Sequence, residues 1–317
     1  MTDKKQGGAV VSSLSDKRGQ KTAWLQLSAS RHGELAAAQA KLGLDLSVKR
    51  GRAAAEEAGF ILIPVEMVIR QGQQYRETSL LFALSKDRLI SVEQDVRVDT
   101  LERVSQQLNA MAEAGQAAPS PASILFMILQ ALNDKARATI SDIAGRLDER
   151  SDTVAAASGG FDTSGRQAGV ADIASTAIGL GEAEELVAKT VEGQLMLARA
   201  GRWLRRTPGG ESPENLSMLL SDIQSLRRYA RFQHDKIRNL QQSLMTTLDL
   251  KQNQVIKVFT VVTAVFLPPT LIAAFYGQNF ANMPELEIIG GEWLVMGMTA
   301  VFALAPLAYV KRKGWMR

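Results

Sequence analysis

Tyr276-Gly277-Gln278-Asn279-Phe280-Ala281-Asn282-Met283-Pro284-Glu285 separates residues 258–276 from residues 293–310, the only two segments of the chain apolar enough to cross a membrane. Both fit the roughly 17–25 residues that a bilayer core requires. A glycine and two amide side chains at the mouth of a hydrophobic helix are poor core material, but they are good oxygen ligands for a hard cation. No Lys or Arg falls between the two spans. The combination points to a cation entering a pore.

Charge outside the spans sets an orientation. Lys251 and Lys257 precede the first span, and Lys311, Arg312, Lys313 and Arg317 follow the second. The positive-inside rule then places both ends in the cytoplasm and the loop 277–292 outside. That loop carries Glu285, Glu287 and Glu292, an acidic rim that would concentrate cations at a pore mouth. Two helices per chain cannot enclose a water-filled path, so a pore requires several chains around an axis.

Toward the N-terminus, the first span has no breaker before Pro213. Leu216, Leu219, Ile223, Leu226, Ala230, Ile237, Leu240, Leu244 and Leu248 recur at steps of three and four, with Gln233 as the polar exception. Sustained repeats of this kind predict a supercoiled seam between helices. Ser212-Pro213-Glu214 is a strong start signal, with Ser as N-cap and Pro at the first helical position. One helix from Glu214 to Tyr276 would be about 95 Å long at 1.5 Å per residue. A helix that long is expected to pack against copies of itself. Allowing one slip of register after Leu248, the ladder resumes as Asn253, Ile256, Thr260, Thr263, Leu267, Thr270, Ala274 and Gly277. Four of these eight are Asn or Thr, suited to a hydrated cation such as Mg²⁺. Ile256 and Leu267 would be apolar constrictions able to gate by dewetting. The alternative for each Thr is a hydrogen bond to its own or a neighbouring helix.

The rest of the chain reads as a water-soluble α/β region followed by helices. Residues 1–22 are polar and Lys- and Gly-rich, and are expected to be disordered. Strands are predicted at 60–69 and, as a hairpin around Ser85-Lys86-Asp87, at 78–84 and 88–92. Helix formers cluster at 34–42 and 52–58, and 100–113 reads as helix. After the break at 117–121 come a helix over 122–157, a Gly/Ser-rich loop at 158–169 and a helix over 173–204.

Composition narrows the function. A chain of 317 residues with 22% charged residues is mostly water-soluble, not a bundle of membrane spans. The absence of Cys removes disulfides, thiol chemistry and Cys-based zinc sites. The two His residues, His32 and His234, lie too far apart to form a ligand pair. The net charge of +4 comes with arginines scattered among acids and without interleaved aromatics, so nucleic acid is not an expected partner. No phosphate-binding glycine loop, nucleophile–base arrangement or metal-ligand spacing marks an enzyme.

Asn253-x-x-x-Lys257, Phe266-Leu267-Pro268-x-Thr270, Tyr276-Gly277-x-Asn279-Phe280, Met283-Pro284-Glu285 and the basic ending 311–315 together resemble the CorA family of divalent-cation transporters. The resemblance extends more loosely through 80–93 and Asn133-Asp134. It implies an α+β cytoplasmic domain (α/β/α), a very long α-helix running into two C-terminal transmembrane helices, and a homopentameric funnel in the cell inner membrane. The breaks and apolar runs along the chain divide it into a cytoplasmic α/β part (23–121), a helical hairpin (122–211), a stalk (212–257), a first span expected to line the pore (258–276), an external loop (277–292), a second span (293–310) and a basic tail (311–317).

Carried over by residue, Gly277 and Asn279, with Gln278 between them, form the selectivity ring. Asn253 and Thr270 are polar rings deeper in the pore, and Ile256 and Leu267 fall in the hydrophobic gate; the ladder adds Thr263 as a polar pore position, and the loop's charge adds Glu285 and Glu287 as its acidic outer rim. No cofactor or catalytic residue is implied. The cargo is a divalent cation, Mg²⁺ with Zn²⁺, Co²⁺ and Ni²⁺ as alternatives, and the partners are further copies of the chain and the lipid bilayer. A non-conducting oligomeric scaffold or sensor of the same family is the competing expectation. Three departures stand out: Gln278 replaces the family's Met, Pro269 adds a second proline, and Leu216-Ser217-Met218-Leu219-Leu220 stands where magnesium-sensing members carry acids. Glu214 and Asp222 are the weak substitutes nearby.

Overall fold

The structure is a computed structural model that describes residues 23–49, 51, 53–71, 74–94, 98–157, 170–207, 211–278 and 289–312. The expectations for 1–22 and 158–169 lie outside the described residues. Five strands, β1 (Trp24–Ser28), β2 (Ala55–Glu57), β3 (Phe60–Gln71), β4 (Gln74–Leu84) and β5 (Leu89–Glu93), form one sheet in the order β1-β5-β4-β3-β2. β1 runs parallel to β5, and the remaining pairs are antiparallel.

The predicted hairpin around Ser85 forms between β4 and β5. The Ser85 hydroxyl accepts the Arg88 N–H and donates to the Arg88 carbonyl, both at 3.1 Å, which closes the turn. β5 is buried at all five positions, as a strand covered on both faces must be. Period-two alternation divides the sheet's side chains between two cores. Ile63, Val65, Met67, Leu80, Phe82 and Leu89 face one, together with residues of four helices: α2 (Asp99–Glu113), α3 (Pro121–Ala157), α4 (Val170–Leu204) and α5 (Pro213–Tyr276). Leu62, Leu81, Ala83, Ile90 and Val92 face the other, where Leu35, Ala38 and Leu42 of α1 (His32–Leu42) pack with Leu44 and Leu46. The expected α/β/α layering is present.

Two expectations need correction. The helix formers at 52–58 build no helix; Ala55–Glu57 is the edge strand β2, paired with β3 from Ala55↔Leu62 to Glu57↔Phe60. Ala58 (φ 46°) and Gly59 (φ +79°) make a two-residue turn with both φ positive. Such a turn matches the twist of an antiparallel pair, and the paired edge outweighs the weak helix propensity of three residues.

The second correction concerns the long helix. α5 spans 64 residues and starts at the expected cap, with the Asn215 N–H bonded to Ser212 Oγ at 3.2 Å. Its stripe of Leu216, Leu219, Ile223, Leu226, Ala230 and Ile237 is buried within a single chain. Leu216, Leu219 and Ile223 belong to the core under the sheet. Further along, Lys236 bonds Asp148 of α3, and Gln241 Nε2 donates to Glu184 of α4 at 2.9 Å. The three-four repeat therefore records an intrachain helix bundle: α3 and α4 supply the apolar cover expected from neighbouring copies.

Close approaches fix these layers. A Cβ on Gly193 of α4 would sit 2.8 Å from the backbone oxygen of Glu66, so only glycine lets α4 lie against β3 there. Nearby, Tyr75 of β4 and Arg70 of β3 meet Asp142 of α3: the tyrosine hydroxyl donates to the carboxylate, and Arg70 pairs with it at 3.4 Å. Arg146 adds a 3.1 Å pair to Asp142 and stacks over the Tyr75 ring at 5.4 Å.

By contacts the chain divides into two compact units, residues 1–155 with 174–241, and residues 156–173 with 242–317. The first holds the sheet and its helices. The second holds the C-terminal half of α5 and the last helix, α6 (Gly291–Arg312).

Candidate ion pathway

Among the described residues, α5 and α6 are the two helices long and apolar enough to cross a membrane, and none of the apolar window of α5 and 6% of that of α6 is buried. Phe259, Phe266, Leu267, Leu271 and Trp293 are each more than half exposed. Apolar surface on this scale is unfavourable in water by roughly 25 cal/mol per Å², and a bilayer or other subunits would remove that cost. Pro268 and Pro269 lie within α5, and the helix continues through both.

The sides of α5 differ. Asn253, Ile256, Thr260, Thr263, Leu267, Thr270, Ala274 and Gly277 are all exposed. Val261, Val265, Pro268, Ile272 and Tyr276, on the opposite side at 100° per residue, are half-buried. The expected ladder is thus one face of one helix, exposed in the single chain.

No register slip is present. The buried stripe that begins at Leu216 continues through Leu244 and Thr247 toward the half-buried side of the span. The ladder that ends at Gly277 continues the other way, in unbroken steps of four and three, through Asp249, Thr246, Gln242, Asn239, Asp235 and Phe232, all exposed. The sequence holds two ladders on two faces, and joining the first half of one to the second half of the other creates an apparent slip.

Hydrogen bonding orients the threonines. Thr260 Oγ1 donates to the Ile256 carbonyl at 2.8 Å, and Thr270 Oγ1 donates to that of Phe266 at 2.7 Å. The alternative of a bond back into the same helix is therefore realised at both. It does not remove the hydroxyl from ion chemistry: with its proton committed inward, the oxygen keeps acceptor lone pairs. Water bound to a cation points its hydrogens outward and needs acceptors.

At the C-terminal end of α5, the Gly277 N–H donates to the Ala273 carbonyl at 2.9 Å and the Gln278 N–H to that of Phe275 at 3.3 Å. Both residues are exposed. Asn279, Glu285 and Glu287 lie outside the described residues. Among the described residues no three or more His, Asp or Glu side chains gather where they could hold a metal ion.

Known proteins match this architecture. Over 103 residues the chain is 42% identical to the magnesium transport protein CorA of Pasteurella multocida (strain Pm70), covering 32% of this chain and 33% of the relative. Over 111 residues it is 41% identical to the magnesium transport protein CorA of Escherichia coli (strain K12), covering 35% of each. The aligned stretch spans about a third of the length of these curated relatives. Among solved structures, the CorA magnesium transporter from Methanocaldococcus jannaschii superposes with a TM-score of 0.71 at 18% identity, over 92% of this chain and 91% of that one. The full-length CmaX protein gives 0.66 at 17% identity, over 91% and 87%. Both support the fold. The family described as CorA-like Mg²⁺ transporter protein matches residues 19–312, nearly the whole length, and the chain belongs to that family.

Proposed function

We propose that the chain is a divalent-cation channel or transporter of the cell inner membrane, with Mg²⁺ as its first candidate cargo, working as a homopentamer. The observation that carries this reading is the ladder on α5: an exposed face, in register for the length of the span, built from the amide of Asn253, three threonine hydroxyls, Gly277 and the apolar steps of Ile256, Leu267 and Ala274. Symmetry would turn each rung into a ring. Gly277, Gln278 and Asn279 form the outer ring, and Thr270, Thr263 and Asn253 form polar rings below it. Leu267 and Ile256 form apolar rings that close the path when they dewet. Glu285 and Glu287 raise the local cation concentration at the outer mouth.

Such rings select a hydrated ion. Mg²⁺ dehydrates reluctantly and is held through its waters, which amide and threonine oxygens accept. Gln278 adds a second amide to the ring, a change at the place where Mg²⁺, Zn²⁺, Co²⁺ and Ni²⁺ would be distinguished. In this reading residues 23–211 are cytoplasmic, 212–257 are the stalk, 258–276 and 293–310 are the spans, 277–292 are external, and both termini face the cytoplasm.

The test is divalent flux into proteoliposomes containing the full chain, across the four ions, with and without a pH gradient. Flux that falls at least about tenfold, 1.4 kcal/mol at the barrier, in Asn279→Ala supports the ring. Undiminished flux in that variant overturns the ring assignment. Normal assembly with no flux of any of the ions favours a scaffold or sensor.

A further inference from the structure

The ladder on α5 does not stop at Asn253. One turn toward the N-terminus the same face presents Asp249, exposed and in the unbroken four-three register. Asp249 is the carboxylate nearest in sequence to Ile256, the first apolar rung, and seven residues, two turns, separate them. Asp235 is the preceding carboxylate on the ladder, with Asn239, Gln242 and Thr246 as the intervening rungs. The ladder therefore runs from an acidic rung at Asp249 through the amide of Asn253 to the Ile256 step.

We infer that Asp249 faces the conduction path and holds a hydrated cation immediately on the cytoplasmic side of the Ile256 constriction. The inference rests on the channel reading above and adds to it a residue that sets cation occupancy at the inner end of the path. The physical case is one of position and charge. A dewetted apolar ring is a barrier to an ion because hydration is lost there. A carboxylate ring two turns away keeps a hydrated cation beside that barrier, in a confined space where like and opposite charges are poorly screened. The same register argument places Gln254, also exposed, on the far side of the helix.

The experiment is Mg²⁺ flux in proteoliposomes with the full chain carrying Asp249→Asn, Asp249→Lys or Gln254→Lys, each checked for an unchanged oligomer by size exclusion. Removing the charge should lower flux several-fold. Reversing it should lower flux to about a tenth or less, because a ring of like charge then repels the cation. Gln254→Lys should stay within about twofold, since that side is outside the path. Flux of Asp249→Asn and Asp249→Lys within twofold of the unmodified chain overturns the inference, and so does an equal loss in Gln254→Lys. If the unmodified chain carries no flux, the channel reading fails and the Asp249 assignment falls with it. Normal flux of the unmodified chain with indifferent Asp249 variants removes this inference alone.

Discussion

Ala58 occupies the left-handed region at φ 46°, in the turn between β2 and β3, beside Gly59 at φ +79°. An L-residue with a Cβ is strained there, whereas Asn tolerates the region and Asn-Gly is the favoured pair for a two-residue hairpin. Ala58→Asn is expected to stabilise the fold by about 0.5–1 kcal/mol, read as a rise of a few degrees in the thermal midpoint of the solubilised protein. A fall would mean that the turn is not held in this conformation. The residue scale also shows why some features resist sequence reading. Glu56 and Ala55 read as helix formers because propensity is local, and only the φ values at 58 and 59 reveal the turn that pairs them with β3. Ser212-Pro213-Glu214 was legible because an N-cap is a local device whose partner, the Asn215 N–H, lies three residues away.

At the scale of elements, α3 and α4 meet the sheet at two contacts that can be tested separately, among others. Gly193→Ala would place a methyl 2.8 Å from the Glu66 carbonyl of β3, and a backbone atom cannot swing aside as a side chain can. The expected cost is about 1–3 kcal/mol, measured by thermal unfolding; an unchanged midpoint would show that α4 does not approach β3 this closely.

The Tyr75–Asp142 contact adds a pH dependence. The Tyr75 hydroxyl bond, then the guanidinium groups of Arg146 and Arg70, hold the Asp142 carboxyl below the usual carboxylate range. Burial, then the Asp142 carboxylate, pushes the Tyr75 phenol up. A carboxyl with a lowered value contributes stability that is present above its ordinary pKa near 3.9 and is lost as the pH falls through the lowered value. A phenol with a raised value contributes stability below its ordinary pKa near 10, lost as the pH rises through the raised one. Tyr75→Phe should therefore lower the thermal midpoint at pH 7 and narrow the difference between pH 7 and pH 3. An equal fall at both pH values would show that the pair carries no linkage. Neither contact was readable in the sequence, since Tyr75 and Asp142 are 67 residues apart and nothing local marks them as partners.

Along its whole length α5 carries two ladders: one buried in its own chain, and one exposed from Phe232 to Gly277. The sequence showed both as three-four repeats but could not say which face each occupied, because periodicity gives spacing and not phase. Phase comes from α3, α4 and the sheet, which cover Leu216 through Ile237 and leave the other face bare. The motif residues Gly277 and Asn279 were legible because they interrupt an apolar run; Asp249 was missed because an aspartate on a soluble helix is unremarkable until the face it shares is known.

The chain has no cysteine, so single cysteines can be placed and modified without background. The most direct test compares Thr263→Cys and Thr270→Cys, on the exposed ladder, with Val265→Cys and Ile272→Cys, on the half-buried side. Each is reconstituted, and Mg²⁺ flux is measured before and after a charged, water-soluble thiol reagent. Block at 263 and 270 with flux retained at 265 and 272 is the predicted result. Equal block on both sides, or block confined to 265 and 272, would contradict the assignment of the exposed ladder to the ion path.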